Sequence, residues 1–123
     1  MTLPERLLVL VAGLAGCLGV ALSAAASHLT GGGQLQTAAQ FLLFHAPALL
    51  ALAALMALGA LHPLLGRLAG LALVLGLALF CGDLSRRAFS GVALAPMAAP
   101  TGGFLLMGGW LLAGVAGILR PRG

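Results

Sequence analysis

The apolar positions of this chain fall in four long, nearly uninterrupted runs rather than in the narrow stripes of a soluble helix. The runs cover about residues 7–26, 37–61, 64–84 and 102–119. Each is close to the length of about 20 residues that a helix needs to cross roughly 30 Å of hydrocarbon. The pattern therefore predicts an all-α membrane protein in which four transmembrane helices form an up-down bundle.

Residues that break helices separate the four predicted spans. Three consecutive glycines at residues 31–33 follow the first run, and glycine is costly inside a helix. His62 and Pro63 predict a tight turn after the second run, because the residue before a proline disfavours helical dihedrals. Thr101 is placed to cap the fourth run. No linker or low-complexity segment divides the chain, so we expect a single transmembrane domain over residues 1–123.

The composition excludes soluble proteins and nucleic-acid binders. The chain is 62% hydrophobic and only 7% charged, whereas a soluble domain of this size needs far more polar surface. The net charge of +4 comes from arginines that stand singly or in pairs at the edges of the apolar runs. Such positions suit membrane anchors and topology signals. A basic patch interleaved with aromatic residues is absent, so we expect the lipid bilayer and no nucleic acid as partner.

The arginines also predict an orientation, because four spans place both termini on the same side of the membrane. That side then carries Arg6, Arg67, Arg120 and Arg122. Arg86 and Arg87 lie on the other side. Four arginines against two favour a multi-pass protein with both termini in the cytoplasm.

Small residues at four-residue spacings predict where the helices approach closely, since close backbone contact drives helix association in a bilayer. The residues expected at such contacts are Gly19, Ser23, Gly70, Gly82, Gly102, Gly103 and Gly109. One chain does not reveal whether these faces meet within a bundle or between copies. We expect a homo-oligomer or a larger membrane complex.

Several polar side chains are expected at the membrane face opposite the termini, because consecutive spans alternate in direction. They are His28, His45, Asp83, Arg86 and Thr101. Sharing a face does not require these side chains to touch.

Two interpretations of Asp83 stay open. One is a structural ion pair with Arg86 and Arg87, which follow about one helical turn later. The other is a proton-exchanging or cation-binding site with His45 or His28 as partner, since ionisable residues inside membranes often mark such sites.

The remaining candidate groups point to structure rather than to chemistry. Pro47 frees a backbone carbonyl near Leu43, and the His45 imidazole could donate to such a group or to a partner on another helix. We prefer this role to metal or haem ligation, for which no short ligand motif is present.

Cys17 and Cys81 lack Cys-x-x-Cys spacing and are expected to be packing residues. No nucleophile, base and orienting group are arranged together, so we expect no enzyme activity and no cofactor.

The N-terminus has an alternative interpretation. The stretch Leu14-Ala15-Gly16-Cys17, behind Arg6 and a short apolar segment, is similar to a bacterial lipoprotein signal, and "SAAAS" is similar to a signal-peptidase site. Either processing event would remove the first span. Because the residues after Cys17 stay apolar through Ala26, where a lipoprotein would begin a polar tether, we expect four spans.

Four stretches, read in order, carry a resemblance to a known family: "GLAGCLGVALSAAASHL", "FLLFHAPALL", "FCGDLSRRAFSG" and "PMAAPTGGFLLMGGW". Together they resemble the small inner-membrane family catalogued as domain of unknown function 423, related to bacterial YgdD-like proteins. The most specific part is "GDLSRRAFSG" followed by "PTGG" and a tryptophan. The family pattern has Tyr-His where this chain has Phe44-His45, and Gly-Ala-His where it has Ala26-Ser27-His28.

The resemblance implies four spans and a location in the bacterial inner membrane, with no assigned reaction. The positions that it singles out are His28, His45, Gly82, Asp83, Thr101, Gly102 and Gly103. We therefore expect a small integral membrane protein that is not an enzyme and acts by helix packing, as an oligomer or as an accessory subunit of a membrane complex. The alternative is a small transporter or channel with a proton or cation site at Asp83 and His45 or His28.

Overall fold

The structure, a computed structural model, describes residues 1–119. It consists of four helices: α1 (Leu3–Ala25), α2 (Gln34–Ala57), α3 (Pro63–Ser90) and α4 (Ala98–Ile118). A π-helical turn, Ala26–Thr30, continues α1. All four helices are long and apolar enough to cross a membrane, which confirms the predicted all-α up-down bundle. Arg120 and Arg122, two of the arginines behind the predicted orientation, lie outside the described residues.

The first and third helices begin at sequence signals that satisfy their free backbone groups. Before α1, the backbone N–H of Thr2 donates to the Glu5 carboxylate, which also accepts from the Thr2 hydroxyl at 2.9 Å. Pro63 opens α3, where its missing N–H costs nothing. The backbone N–H of Leu65 donates to Nδ1 of His62 at 3.4 Å, so the histidine of the predicted turn caps α3.

Glycines with positive φ end the second and third helices at places that hydropathy alone does not mark. Gly59 (φ 70°) follows the end of α2 at Ala57, whereas the apolar run continues to Leu61. Gly91 (φ 72°) follows Ser90 at the end of α3, beyond the predicted boundary at residue 84. The end of an apolar run indicates where the hydrocarbon region ends, whereas the helix ends where a residue adopts the left-handed backbone conformation.

Helix α4 begins earlier than predicted, and this corrects the role given to Thr101. The helix starts at Ala98 because Pro100 falls in the first turn, where a proline displaces no helical hydrogen bond. Met97, with φ of 62°, precedes it. Thr101 lies inside the helix with an exposed side chain and does not cap it.

The four helices pack as two hairpins that meet along α2 and α3. The largest interfaces are α1–α2 and α3–α4, followed by α2–α3, whereas α1 and α3 barely touch. The backbone N–H of His62, in the α2–α3 turn, donates to the carbonyl of Ala116 near the end of α4 at 2.8 Å. The core is made of leucines and alanines from all four helices, and large apolar side chains cover the outside as well, as expected of a protein surrounded by lipid.

Candidate functional site

Asp83 continues a row of residues on the face of α3 that packs against α4. Leu73, Gly76 and Phe80 each lie against α4, and Asp83 follows at the same spacing of three and four residues. The carboxylate therefore points into the protein where α3 leaves the apolar run. Its side chain has 0% exposed surface.

Both oxygens of the Asp83 carboxylate are hydrogen-bonded. Oδ2 accepts a hydrogen bond of 2.9 Å from Nε of Arg87, one turn further along the helix, and this contact is also an ion pair. Oδ1 accepts from the backbone N–H of Leu94 at 2.8 Å. The carboxylate thus joins the end of α3 to the connector of residues 91–97.

The ion-pair partner of Asp83 is Arg87 and not Arg86. The sequence placed both arginines within reach, but Arg86 is exposed and only Arg87 contacts the carboxylate. The Arg87 side chain is 42% exposed, so its charge reaches the surface while its Nε contacts a buried acid. A charge buried at the membrane edge is far less costly when paired in this way.

His45 is buried on α2, and both of its ring nitrogens have partners. The indole Nε1–H of Trp110 on α4 donates to Nε2 at 3.1 Å. An indole can only donate, so Nε2 is the accepting nitrogen of a neutral imidazole. The other nitrogen, Nδ1, then carries the hydrogen and donates to the carbonyl of Phe41, 2.7 Å away. The ring therefore links α2 to α4 through hydrogen bonds.

These contacts refine the expectation for the histidine near Pro47. The local acceptor is the carbonyl of Phe41, one turn before His45, rather than that of Leu43. The cross-helix partner is Trp110 of α4, which the sequence did not single out as a hydrogen-bond partner. A signal was available, because a tryptophan N–H inside an apolar span needs an acceptor, and His45 is among the few side chains that offer one.

The other polar candidates do not join this arrangement. His28 lies in the π-helical turn after α1 and Thr101 in the first turn of α4, both with exposed side chains. Among residues 1–119, no hydrogen bond or ion pair links Asp83 to either His28 or His45. No three His, Cys, Asp or Glu side chains in that part of the chain are grouped to hold a metal.

Four of the expected glycines lie where another helix approaches closely. An added Cβ at Gly19 would be 2.8 Å from Cγ of Leu43 on α2, and one at Gly109 would be 2.8 Å from the Leu73 side chain on α3. At Gly102 it would be 2.6 Å from the backbone nitrogen of Phe80. Gly70 lies under Leu8 of α1, where an added Cβ would be 3.1 Å from its methyl groups.

The remaining small residues are placed differently. Gly82 faces Leu94 of the connector at an ordinary 3.4 Å, so it touches no neighbouring helix closely, and Ser23 is half-buried. Gly103 does not lie in a helix contact, because an added Cβ would meet no atom of residues 1–119 within 4 Å. The sequence missed Gly76, where the same Cβ would be 2.8 Å from the carbonyl oxygen of Gly102. A spacing of four residues does not include Gly76, because the residues of α3 that contact α4 are spaced alternately three and four apart.

The chain matches the model of a known protein family. Comparisons with curated proteins and with solved structures found no significant match. The family model described as "Protein of unknown function (DUF423)" matches residues 22–103, from the end of α1 to the start of α4. This match includes Asp83, its partners Arg87 and Leu94, and His45. The chain belongs to the DUF423 family, as its sequence resemblance indicated.

Proposed function

We propose that this protein is a small multi-pass protein of the bacterial inner membrane with both termini in the cytoplasm. It is not an enzyme and acts by helix packing, either as a homo-oligomer or as an accessory subunit of a larger membrane complex. Four membrane-capable helices and an internally bonded polar interior support this proposal.

The observation that carries the proposal is that the buried titratable groups at the candidate site are already engaged. Asp83 is bonded to Arg87 and Leu94, and His45 to Phe41 and Trp110. Within residues 1–119, every buried side-chain nitrogen and oxygen has a hydrogen-bond partner. Groups held in this way stabilise the bundle and are poorly placed to exchange protons or bind substrate.

The outer surface offers what a packing function needs. Gly103 and Gly114 on α4 have open space beside them. They are 11 residues apart, about three helical turns, so both lie on the same outward side of α4. Small residues on an outward face allow the backbone of another transmembrane helix to approach.

A proton or cation pathway through Asp83 is the competing function, and one fact favours it: the acid is fully buried in a membrane protein. Flux measurements in proteoliposomes separate the two. We expect the unmodified protein and Asp83→Asn to give no pH-gradient-dependent flux above protein-free vesicles. A flux that Asp83→Asn abolishes, and that the exposed-arginine control Arg86→Gln retains, would overturn the proposal.

Assembly is tested separately by energy transfer between donor- and acceptor-labelled copies in the same bilayer. Transfer that persists as lipid is added supports a homo-oligomer, and a stoichiometric membrane partner recovered after cross-linking in cells supports an accessory subunit. If transfer falls to the level of random mixing and cross-linking recovers no partner, helix packing with other proteins is not the function.

A further inference from the structure

An apolar groove runs between α1 and α3, where these two helices barely touch. One part, of about 290 Å³, is lined by side chains that include Leu14, Leu18 and Ala78 and ends at Ser85. A second part, of about 370 Å³, leads to Arg67. Val11 of α1 and Val74 of α3 line both parts, so the two form one groove along the length of the helices.

The lining determines what fills this groove in a bilayer. Between its ends, the lining that residues 1–119 provide consists of aliphatic side chains, glycines, the Met56 thioether and the Cys81 thiol, so water finds almost no partner there. A hydrocarbon chain is narrow enough and matches the apolar lining.

Arg67 gives one end of the groove a positive charge. It is exposed, and no other charged residue of the described part of the chain lines either part of the groove. In the described part of the chain the only ion pair is that of Asp83 with Arg87, at the other rim. Near Arg67, Glu5 is buried and bonded to Thr2, and Nε of Arg6 donates to the carbonyl of Met1. Within residues 1–119 no carboxylate forms an ion pair with the Arg67 guanidinium, so the guanidinium can receive a phosphate.

We propose that the α1–α3 groove is a binding site for an anionic phospholipid, with one acyl chain between Val11 and Val74 and the phosphate at Arg67. The site is independent of the packing function proposed above. It selects lipids by charge at the rim and retains them by contact with the acyl chain.

Native mass spectrometry of the detergent-solubilised protein, mixed with equal amounts of phosphatidylglycerol and phosphatidylcholine, tests the site. We expect one retained lipid per chain, with phosphatidylglycerol favoured by about five-fold, the contribution of one arginine near an anionic surface. Arg67→Gln should remove this preference while the chain still retains lipid. The charge control Arg86→Gln, at the opposite rim, should keep the preference.

Two variants that fill the groove from opposite walls test the acyl-chain contact. Val74→Phe and Val11→Phe should each reduce retention of both lipids, and the control Leu75→Phe, on the exposed side of α3, should not. Circular dichroism shows which variants remain helical, and only those variants are compared. The proposal is overturned if the unmodified protein retains no lipid, or if Arg67→Gln keeps the preference. It is also overturned if the folded filling variants dissociate a dimer without changing lipid retention, since a second copy would then occupy the groove.

Discussion

At the scale of single residues, the Asp83 carboxylate shows how a chain in lipid tolerates a buried acid. Arg87 supplies the opposite charge, and the backbone N–H of Leu94 supplies a second donor. The sequence indicated an ion pair but not which arginine would make it, because Arg86 and Arg87 are both about one turn away. The rotation of α3 about its axis decides between them.

We predict that Arg87→Gln destabilises the protein by about 3 kcal/mol, because it leaves the enclosed carboxylate without a counter-charge. This figure is at the low end for a broken buried pair because the Arg87 side chain is 42% exposed and partly screened. Arg86→Gln, the matched control, should stay within about 0.5 kcal/mol of the unmodified protein. Unfolding of the helices in increasing dodecyl sulfate, followed by circular dichroism, measures both. Equal losses for the two variants would contradict the pairing.

The hydrogen bond from Trp110 to His45 gives a second prediction at this scale. A double-mutant cycle of His45→Phe and Trp110→Phe should give a coupling energy of about 0.6 kcal/mol and no more than about 1.7 kcal/mol, the average and the maximum measured for side-chain hydrogen bonds between membrane helices. The same unfolding assay supplies the four stabilities. A coupling energy of zero would mean that the two rings pack without a stabilising hydrogen bond.

At the scale of the helices, glycines determine how closely α3 and α4 approach. Gly102 and Gly76 face each other across the contact, and Gly109 lies under Leu73. The sequence predicted close packing from Gly102 and Gly109 but grouped Gly103 with them and omitted Gly76. Neighbouring positions on a helix point about 100° apart, so a run of glycines does not reveal which one faces the neighbour.

Adjacent glycines on α4 test this contact directly. Gly102→Ala should cost about 1–3 kcal/mol, because the new methyl group would meet the backbone of Phe80 and force the helices apart. Gly103→Ala should be neutral or stabilising by up to about 1 kcal/mol, since it has open space and alanine favours the helix. Both are measured by unfolding in dodecyl sulfate. A larger loss for Gly103→Ala than for Gly102→Ala would contradict the packing of α4.

At the scale of the whole molecule, the alternation of four helices brings the ends of α1 and α3 to one rim and the α2–α3 turn to the other. Helix α3 has 28 residues and is about 42 Å long, more than the roughly 30 Å of hydrocarbon. Because the apolar run ends near residue 84, we expect the last turns, with Arg86 and Arg87, to extend into the headgroup region. This explains how an apolar span can end in three charged side chains without breaking.

The predicted orientation is tested by labelling single cysteines introduced at each rim after Cys17 and Cys81 are replaced by alanine. With the termini in the cytoplasm, a membrane-impermeant thiol reagent should label the Ser90→Cys variant in cells whose outer membrane has been permeabilised. It should label the Leu58→Cys variant only after the inner membrane is also opened. Both side chains are exposed in the structure. The reverse order of labelling would place the termini outside, and equal labelling would contradict the up-down arrangement.

The sequence alone predicted four antiparallel helices long and apolar enough to cross a membrane, and with them the positions of His28, Asp83 and Thr101 near one rim. These follow from the lengths of apolar runs and from the direction of the chain, both of which can be read along one dimension. Only the tertiary structure decided that Arg87 pairs with Asp83, that Trp110 donates to His45, and that Gly76 rather than Gly103 faces a neighbouring helix. Those outcomes depend on how each helix is rotated against its neighbours, and the lipid-facing and core-facing positions of this chain are too similar in hydropathy to encode that rotation.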